Sequence, residues 1–309
     1  MKLFTALLAS AVLALAPTAS ANPARELTDA GIPGALVYSS GGKVHAAGNA
    51  RPHHRFRAGS VSKTFVATAV LQLVAEGRLS LDQRVHGVPL RTLLNHTSGI
   101  FNHTEDPRVF EQGLLKRWQP RELIAISDSH PPYFAPGTDF HYSNTGYVIL
   151  GELVGDQVSR RIIRPLGLKR TRFDVGPRVR GVAPGVAAGE DVTVQDTSWA
   201  GAAGALVSTP RELARFYRAL LSGRLLGRSQ LAAMKTIDPV TKFYGLGLAR
   251  IGLSCGFVWG HDGQVPGYNT FAVSSEDGRR QTVVMAGQNP LSEAQQRAVL
   301  RVLDEEHCA

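Results

Sequence analysis

Residues 56–77, FRAGSVSKTFVATAVLQLVAEG, constrain the fold more than any other stretch of this chain. Val61, Phe65, Val66, Ala67, Ala69, Val70, Leu71, Leu73 and Val74 fall on nearly every side of a helix, so this helix is expected to be buried all round, with Gly77 as its stop. A chain that encloses such a helix needs layers of structure around it. Gly59 and Ser60 precede the apolar run as helix-start residues do, which puts Ser60 at the first turn, where backbone N–H groups lack partners. That turn is also a place where negative charge is favoured. Lys63 comes three residues later on the same face, so its side chain reaches back to the Ser60 oxygen. Burial lowers a lysine pKa toward a value useful for taking a proton. Elsewhere the chain prefers arginine, with 7 Lys against 27 Arg, which makes a lysine here a specific choice. Ser40-Gly41-Gly42-Lys43 repeats the spacing, but it sits on a Gly-Gly turn and reads as a hairpin tip.

Residues 1–21 read as a secretory signal: Lys2, an apolar run over 3–16, then Ala19-Ser20-Ala21 as a small-residue cleavage site. Pro17 interrupts the run short of the roughly 20 apolar residues a membrane span needs. The mature chain, from about Asn22, is expected to be secreted, monomeric and without a stable membrane anchor. In that compartment Cys255 and Cys308, the only cysteines, are expected to pair. The net charge of +9 suits anionic surfaces, and 159–180 is the most basic segment, but no nucleic-acid motif accompanies it.

Further along, 24–30 reads as a short helix and 35–39 with 43–47 as a hairpin. Residues 79–90 form a turn-rich connector, and 93–184 are short helices with Pro/Gly loops. Helices return at 210–221 and 229–236, strands are expected at 243–248, 257–261, 269–274 and 282–286, and an amphipathic helix covers 291–306. Strands at both ends with helices between imply a discontinuous α/β fold, 22–90 and 200–309, interrupted by an all-helical part, 91–199.

Two more motifs complete a set. Tyr142-Ser143-Asn144 is the only Tyr-x-Asn in the chain, on a loop before a helix, and His261-Asp262-Gly263 is the only His-x-Gly, expected at a strand end. Ser-x-x-Lys, Tyr-x-Asn and His-x-Gly in that order, with LLNHTSGI, RPLGLKRTRF, YGLGL and GHDGQVPGY around them, resemble the penicillin-recognising serine hydrolases. The resemblance covers most of 34–303 and is nearest to the class C β-lactamase and D-alanyl-D-alanine carboxypeptidase branch. It implies an antiparallel sheet flanked by helices with an inserted helical domain. It also implies Ser60 as the acylated nucleophile, with Lys63 and Tyr142 sharing the proton work. Asn144 would orient the substrate amide and Lys63, and His261 would stand against Tyr142. The N–H groups of Ser60 and Gln264 would form the oxyanion hole beside Asp262 and Gly263. No metal or organic cofactor is called for. The expected partner is a small molecule or peptidoglycan-derived peptide, with β-lactam binding also in scope.

Three readings compete. An esterase or amidase acting on neutral acyl groups would use the same site, and a non-catalytic cell-wall or penicillin-binding module would keep the scaffold without turnover. Gly252-Leu253-Ser254-Cys255-Gly256 matches a nucleophile elbow, but that motif needs a strand-to-helix turn and strand-like residues follow it here. Ser127-Asp128-Ser129 has only part of a class A β-lactamase loop. Two departures bear on substrate: Asp262 stands where carboxypeptidases of the branch commonly carry a hydroxyl, and residues 153–165 are shorter than in typical members, so the resemblance does not fix one wall of the helical part.

Overall fold

Strand-forming stretches from both ends of the chain meet in one antiparallel sheet. The computed structural model describes residues 22–309; the expected export signal, residues 1–21, lies outside the described residues. Helix α1 (Pro23–Asp29), capped by the Asn22 side chain, leads into the hairpin of β1 (Gly34–Ser39) and β2 (Val44–Gly48). Then come β3 (Phe56–Gly59), α2 (Ser62–Ala75), and the small hairpin β4 (Arg84–Val85) and β5 (Val88–Pro89). The middle of the chain holds α3 (Leu90–Leu94), α4 (Pro120–Asp128) and α5 (Asn144–Val154). Short pieces follow: β6 (Arg172–Phe173), β7 (Val186–Ala187), β8 (Glu190–Asp191), α6 (Gly201–Gly204) and β9 (Leu206–Ser208). Helices α7 (Pro210–Leu221) and α8 (Arg228–Lys235) precede β10 (Ala249–Leu253), β11 (Gly256–Val265), β12 (Tyr268–Ser274), β13 (Gln281–Ala286) and α9 (Glu293–Cys308).

The main sheet runs β10-β11-β12-β13-β1-β2, and a second sheet runs β3-β9-β6. Alternation along the strands sorts two cores. Val37 and Val284 face α1 and α9 with Leu27, Val299 and Leu303, while Leu36, Val283 and Met285 join the larger core around α2 and α7. Side chains of α2 are buried on all faces, from Ser62 to Leu71 without a break, as the apolar pattern requires. Each large aliphatic residue so enclosed contributes about 1.5–3 kcal/mol.

Three expectations need correction. The helix begins at Ser62, two residues later than Ser60, because residues 56–59 before it extend as β3 against β9. Residues 243–248 are not a strand, because their backbone groups are used locally or by other loops. Gly245 N bonds Leu248 O, and Gly247 N bonds Leu94 O. The edge strand is β10 instead. Finally, β11 continues to Val265, so His261-Asp262-Gly263 lies inside a strand rather than at its end. The short 153–165 link leaves no gap: a wide turn at Ser159–Ile163 buries Val158, Ile162 and Ile163 in the larger core.

Cys255 and Cys308 are joined, with Cα atoms 5.5 Å apart. The bond ties the β10–β11 turn to the end of α9 and closes a loop that the chain-entropy model values at about 4 kcal/mol.

Candidate active site

Ser60 occupies the turn between β3 and α2, and three other segments converge on it. Its carbonyl accepts from Lys63 N at 2.9 Å, which winds the first turn tightly and brings Lys63 under the serine. Ser62, one residue into the helix, donates to Gly59 O at 2.6 Å and accepts from Leu206 N at 3.0 Å, locking the turn to β9.

Lys63 is fully enclosed, and its Nζ stands 2.9 Å from Ser60 Oγ, 2.8 Å from Asn144 Oδ1 and 2.9 Å from Ala203 O. Burial drives its pKa well below the ordinary lysine value, opposed in part by the charge of Asp262. In its neutral form the amine has two N–H bonds and one lone pair. Asn144 Oδ1 and Ala203 O can only accept, so they take the two N–H groups. The lone pair is left facing the Ser60 hydroxyl. Three contacts thus orient the amine as a base toward one oxygen.

Tyr142 sits at the loop before α5 and hydrogen-bonds Ser60. Burial first, and Asp262 and Tyr147 further, push its pKa well up, with Ser60 opposing, so it is a protonated phenol at neutral pH. Its ring also lies 4.8 Å from Lys63 Nζ.

Asn144 begins α5. Its Oδ1 is taken by Lys63, and its Nδ2 donates to Thr104 Oγ1 at 3.0 Å. Thr104 passes its own proton to Asn102 Oδ1, which also accepts from Asn144 N at 3.0 Å. This chain sets which way the Asn144 amide points.

β11 closes the site from the other side. Pairing with β10 stops at Gly260, and the 261–265 half of the strand runs past Ser60. The approach is close enough to require glycine twice. A Cβ on Gly59, whose φ is +54°, would lie 2.5 Å from Gln264 N; one on Gly263 would lie 1.9 Å from Ala58 O and 2.9 Å from Ser60 N. The N–H groups of Ser60 and Gln264 are thereby brought side by side beside the Ser60 hydroxyl.

His261 is buried, and its hydrogen bonds differ from expectation. Its ring stands 6.4 Å from that of Tyr142, but Nε2 meets Tyr244 Oη at 2.8 Å and Nδ1 meets the Asp262 carbonyl. A carbonyl only accepts, so Nδ1 carries the hydrogen. Burial, then the Lys63 charge, depresses the His261 pKa to about 3, against its carbonyl partner. The ring is therefore neutral, and Nε2 accepts from the Tyr244 hydroxyl. Its lone pair is committed, which makes it a support for the wall rather than a base. Asp262, with its side chain 20% exposed, lies between His261 and Gly263. Burial raises its pKa, while its own backbone, Lys63 and the Gln264 side chain draw it back.

The two rival serines sit elsewhere. Ser254 lies on the β10–β11 turn with its hydroxyl 2.7 Å from Asp304 Oδ2. Ser127 ends α4 and donates to Phe101 O, and Asp128 meets His86 at 2.8 Å. Sequence reasoning named Ser60, Lys63, Tyr142, Asn144 and Gln264, which the fold brings together. It missed Tyr244, Thr104, Asn102 and the Ala203 carbonyl. YGLGL flagged the first only by resemblance, and nothing local marked the others.

Comparison with known proteins bears on the family and the fold. Residues 15–305 match the family model described as Beta-lactamase. A D-stereospecific amidohydrolase from Streptomyces sp. superposes with a TM-score of 0.81 at 34% identity, over 90% of this chain and 97% of that one. The D-amino acid amidase from Ochrobactrum anthropi SV3 superposes at 0.79 and 27% identity, over 92% of this chain and 99% of that one. The putative penicillin-binding protein PbpX of Bacillus subtilis (strain 168) is 27% identical over 77% of this chain, which spans only 63% of that protein's length.

Proposed function

Since this chain belongs to the Beta-lactamase family of serine hydrolases, we propose that it hydrolyses amides of small D-configured acyl donors through an acyl-enzyme on Ser60. The observation that carries the reading is the buried lysine held within hydrogen-bond reach of Ser60 by two further acceptors. In the first step Lys63 Nζ takes the Ser60 proton as Oγ bonds to the acyl carbon. The carbonyl electrons move onto oxygen, held by the Ser60 and Gln264 N–H groups. As that intermediate collapses, the C–N bond breaks and Tyr142 gives its phenol proton to the leaving nitrogen. The Lys63 ammonium then restores the phenol. Water repeats the sequence in reverse roles to free the acid. The second N–H of Asn144 is the one available to the substrate carbonyl side. Assembly of all these groups favours turnover over a non-catalytic binding module.

The choice of amide rests on two supports. The similar structures named above are a D-stereospecific amidohydrolase and a D-amino acid amidase. Asp262 disfavours a substrate with its own C-terminal carboxylate, since two negative charges about 4 Å apart repel by up to roughly 4 kcal/mol at an effective dielectric near 20. Carboxypeptidase action on D-alanyl-D-alanine ends is the second reading, favoured by the likeness to PbpX. Export and a monomeric state complete the proposal; a mature N-terminus near Asn22 in secreted protein is the check on the first. For the chemistry, the test is intact mass after exposure to a penicillin, D-phenylalanine amide, a D-alanyl-D-alanine peptide and p-nitrophenyl acetate. Acyl adducts should map to Ser60, and Ser60→Ala should abolish both adduct and turnover. An adduct on Ser254 would overturn the reading.

A further inference from the structure

His96 is buried beside the site, and nothing in the mechanism above uses it. It follows α3, within the LLNHTSGI stretch, and its backbone has φ +63°, a left-handed conformation uncommon outside glycine, though less so for Asn, Asp and His than for other residues. That conformation turns its carbonyl and its ring toward one loop. His96 O accepts from His141 N at 3.1 Å, and His96 Nδ1 accepts from Ser143 N at 3.2 Å. These are the two peptide N–H groups that flank Tyr142. The imidazole ring also lies against the Tyr142 ring, with centroids 4.1 Å apart and planes at 31°. One residue therefore grips Tyr142 at three points.

The grip has a polar consequence. Nδ1 accepts, so the hydrogen of the neutral ring is on Nε2, and Nε2 is buried with no hydrogen-bond partner. Phenylalanine would remove that orphan group, and glycine would relieve the backbone. Neither would hold the Ser143 N–H. A strained backbone and an unsatisfied N–H are features that stability alone would discard, and they cluster where a geometry is being imposed.

We propose that His96 is a positioning residue that fixes the Tyr142 phenol for proton delivery to the leaving group. It does not touch substrate. The inference rests on the reading of Tyr142 and Ser60 given under Proposed function. Its signature is a dependence on the leaving group, because a poor leaving group needs the proton and p-nitrophenolate does not.

The experiment uses the full chain and a series of aryl acetates from p-nitrophenyl to phenyl, with D-phenylalanine amide as the least activated substrate. Rates are normalised by the p-nitrophenol burst, so misfolded protein is not counted. His96→Phe keeps the ring contact and loses the acceptor. It should slow p-nitrophenyl acetate less than about threefold and D-phenylalanine amide at least about thirtyfold, within the range usual for proton-transfer catalysis. Tyr142→Phe should show the same steepened dependence, and the double variant should be no worse than Tyr142→Phe alone. His96→Asn accepts the left-handed backbone, places Oδ1 near the former Nδ1, and should recover most of the amide rate. If His96→Phe does not fold, His96→Gly, which also frees the backbone, carries the same comparison. Equal loss across the series, or additive losses in the double variant, would overturn the positioning role. A wild type that shows no burst, or an adduct away from Ser60, would instead remove the underlying mechanism, and the two failures are thus separable.

Discussion

On one side of Asn144 the polar groups are dry, and on the other they are wet, though both sides use the same residue types. Inside, Lys63, His96 and His261 are almost fully buried. Burial holds all three pKa values down, and it holds that of Tyr142 up. Outside, Glu105 accepts from Tyr133, His141 and Asn102, and Asp106 binds Arg108 and His130. There hydrogen bonds overcome burial: Glu105 is held below the ordinary carboxylate range. Asp106 is held further down, by Arg108 first, against burial and with help from His130. The inner groups give up their charges, while the outer ones keep theirs. What differs is chiefly the compensating partner: Asp106 is itself only 4% exposed, but Arg108 and His130 face it. An amine or imidazole is a base only when neutral, so the dry side is where a lysine can take a proton.

The sharpest way to break this contrast is to force a charge into the dry side. Lys63→Arg keeps a cation and donors but cannot give up its proton. Hydrolysis of p-nitrophenyl acetate should fall by at least about a thousandfold, as much as for Lys63→Ala, consistent with the loss of both a base and a lone pair. Retention of a tenth of the wild-type rate would mean that the neutral lysine is not the base.

The next effect is on stability. His96, His103 and His261 are neutral in the fold, with His103 and His261 pushed to about 4 and about 3 and His96 also well down, in each case chiefly by burial. In the unfolded chain they protonate near 6.5. Because the folded pKa values are depressed, the unfolded state holds more protons at acid pH. Stability is therefore full above about 6.5 and is lost as pH falls toward the folded values. Denaturant titrations between pH 6 and 4.5 should show net proton uptake on unfolding, with His103→Gln lowering it by about one proton. A flat profile would mean that water reaches these rings.

Much of the dry side was legible in the sequence, because its elements announce themselves locally. An all-apolar helix can only be buried, a lysine three residues from its leading serine must then be buried with it, and Tyr-x-Asn and His-x-Gly each occur once. What was not legible depends on contacts far apart in the chain. Tyr244 was placed in a strand from its apolar neighbours, yet the backbone around it bonds Leu248 and Leu94, and its hydroxyl meets His261, 17 residues on. The Asn102 and Thr104 link to Asn144 spans about forty residues and carries no motif. Residues 56–59 were given no element of their own, because Phe56, Arg57, Ala58 and Gly59 are too few to show a period. Only β9, some 150 residues later, makes them a strand.

Asp262 lies on the border between the two sides and should give an effect of about tenfold. Its carboxylate is partly buried, Lys63 draws its pKa back only in part against burial, and His261 Nδ1 stands 3.7 Å away with its hydrogen on a carbonyl. Asp262→Thr should raise kcat/KM for a D-alanyl-D-alanine peptide about tenfold and leave p-nitrophenyl acetate unchanged, a fraction of the maximal repulsion that screening leaves in place. In the wild type the discrimination should weaken as pH falls, because burial lifts the pKa of this carboxyl above 3.8 and it protonates early. An efficient wild-type peptidase that gains nothing from threonine would show that Asp262 is no filter.

The smallest effect belongs to the wet side, and its smallness is the point. Glu105 reaches the reaction only at second hand, through Asn102 Nδ2 at 3.1 Å and then Asn102 Oδ1 to Asn144 N at 3.0 Å. Glu105→Gln keeps an oxygen for Asn102 and puts an amide opposite the Tyr133 hydroxyl, which can accept as well as donate. The ion pair with His141 is about one-third exposed on each partner, and exposed pairs of this kind are worth about 0–1 kcal/mol. Turnover of p-nitrophenyl acetate should therefore change less than about threefold, and the change in stability should shrink as salt is raised to 0.5 M. A hundredfold loss of turnover, insensitive to salt, would mean that the hydrogen-bonded chain behind Asn144 transmits the charge of Glu105 to Lys63. The dry and wet sides would then be one network, and the separation that leaves Lys63 neutral would have to come from something other than burial.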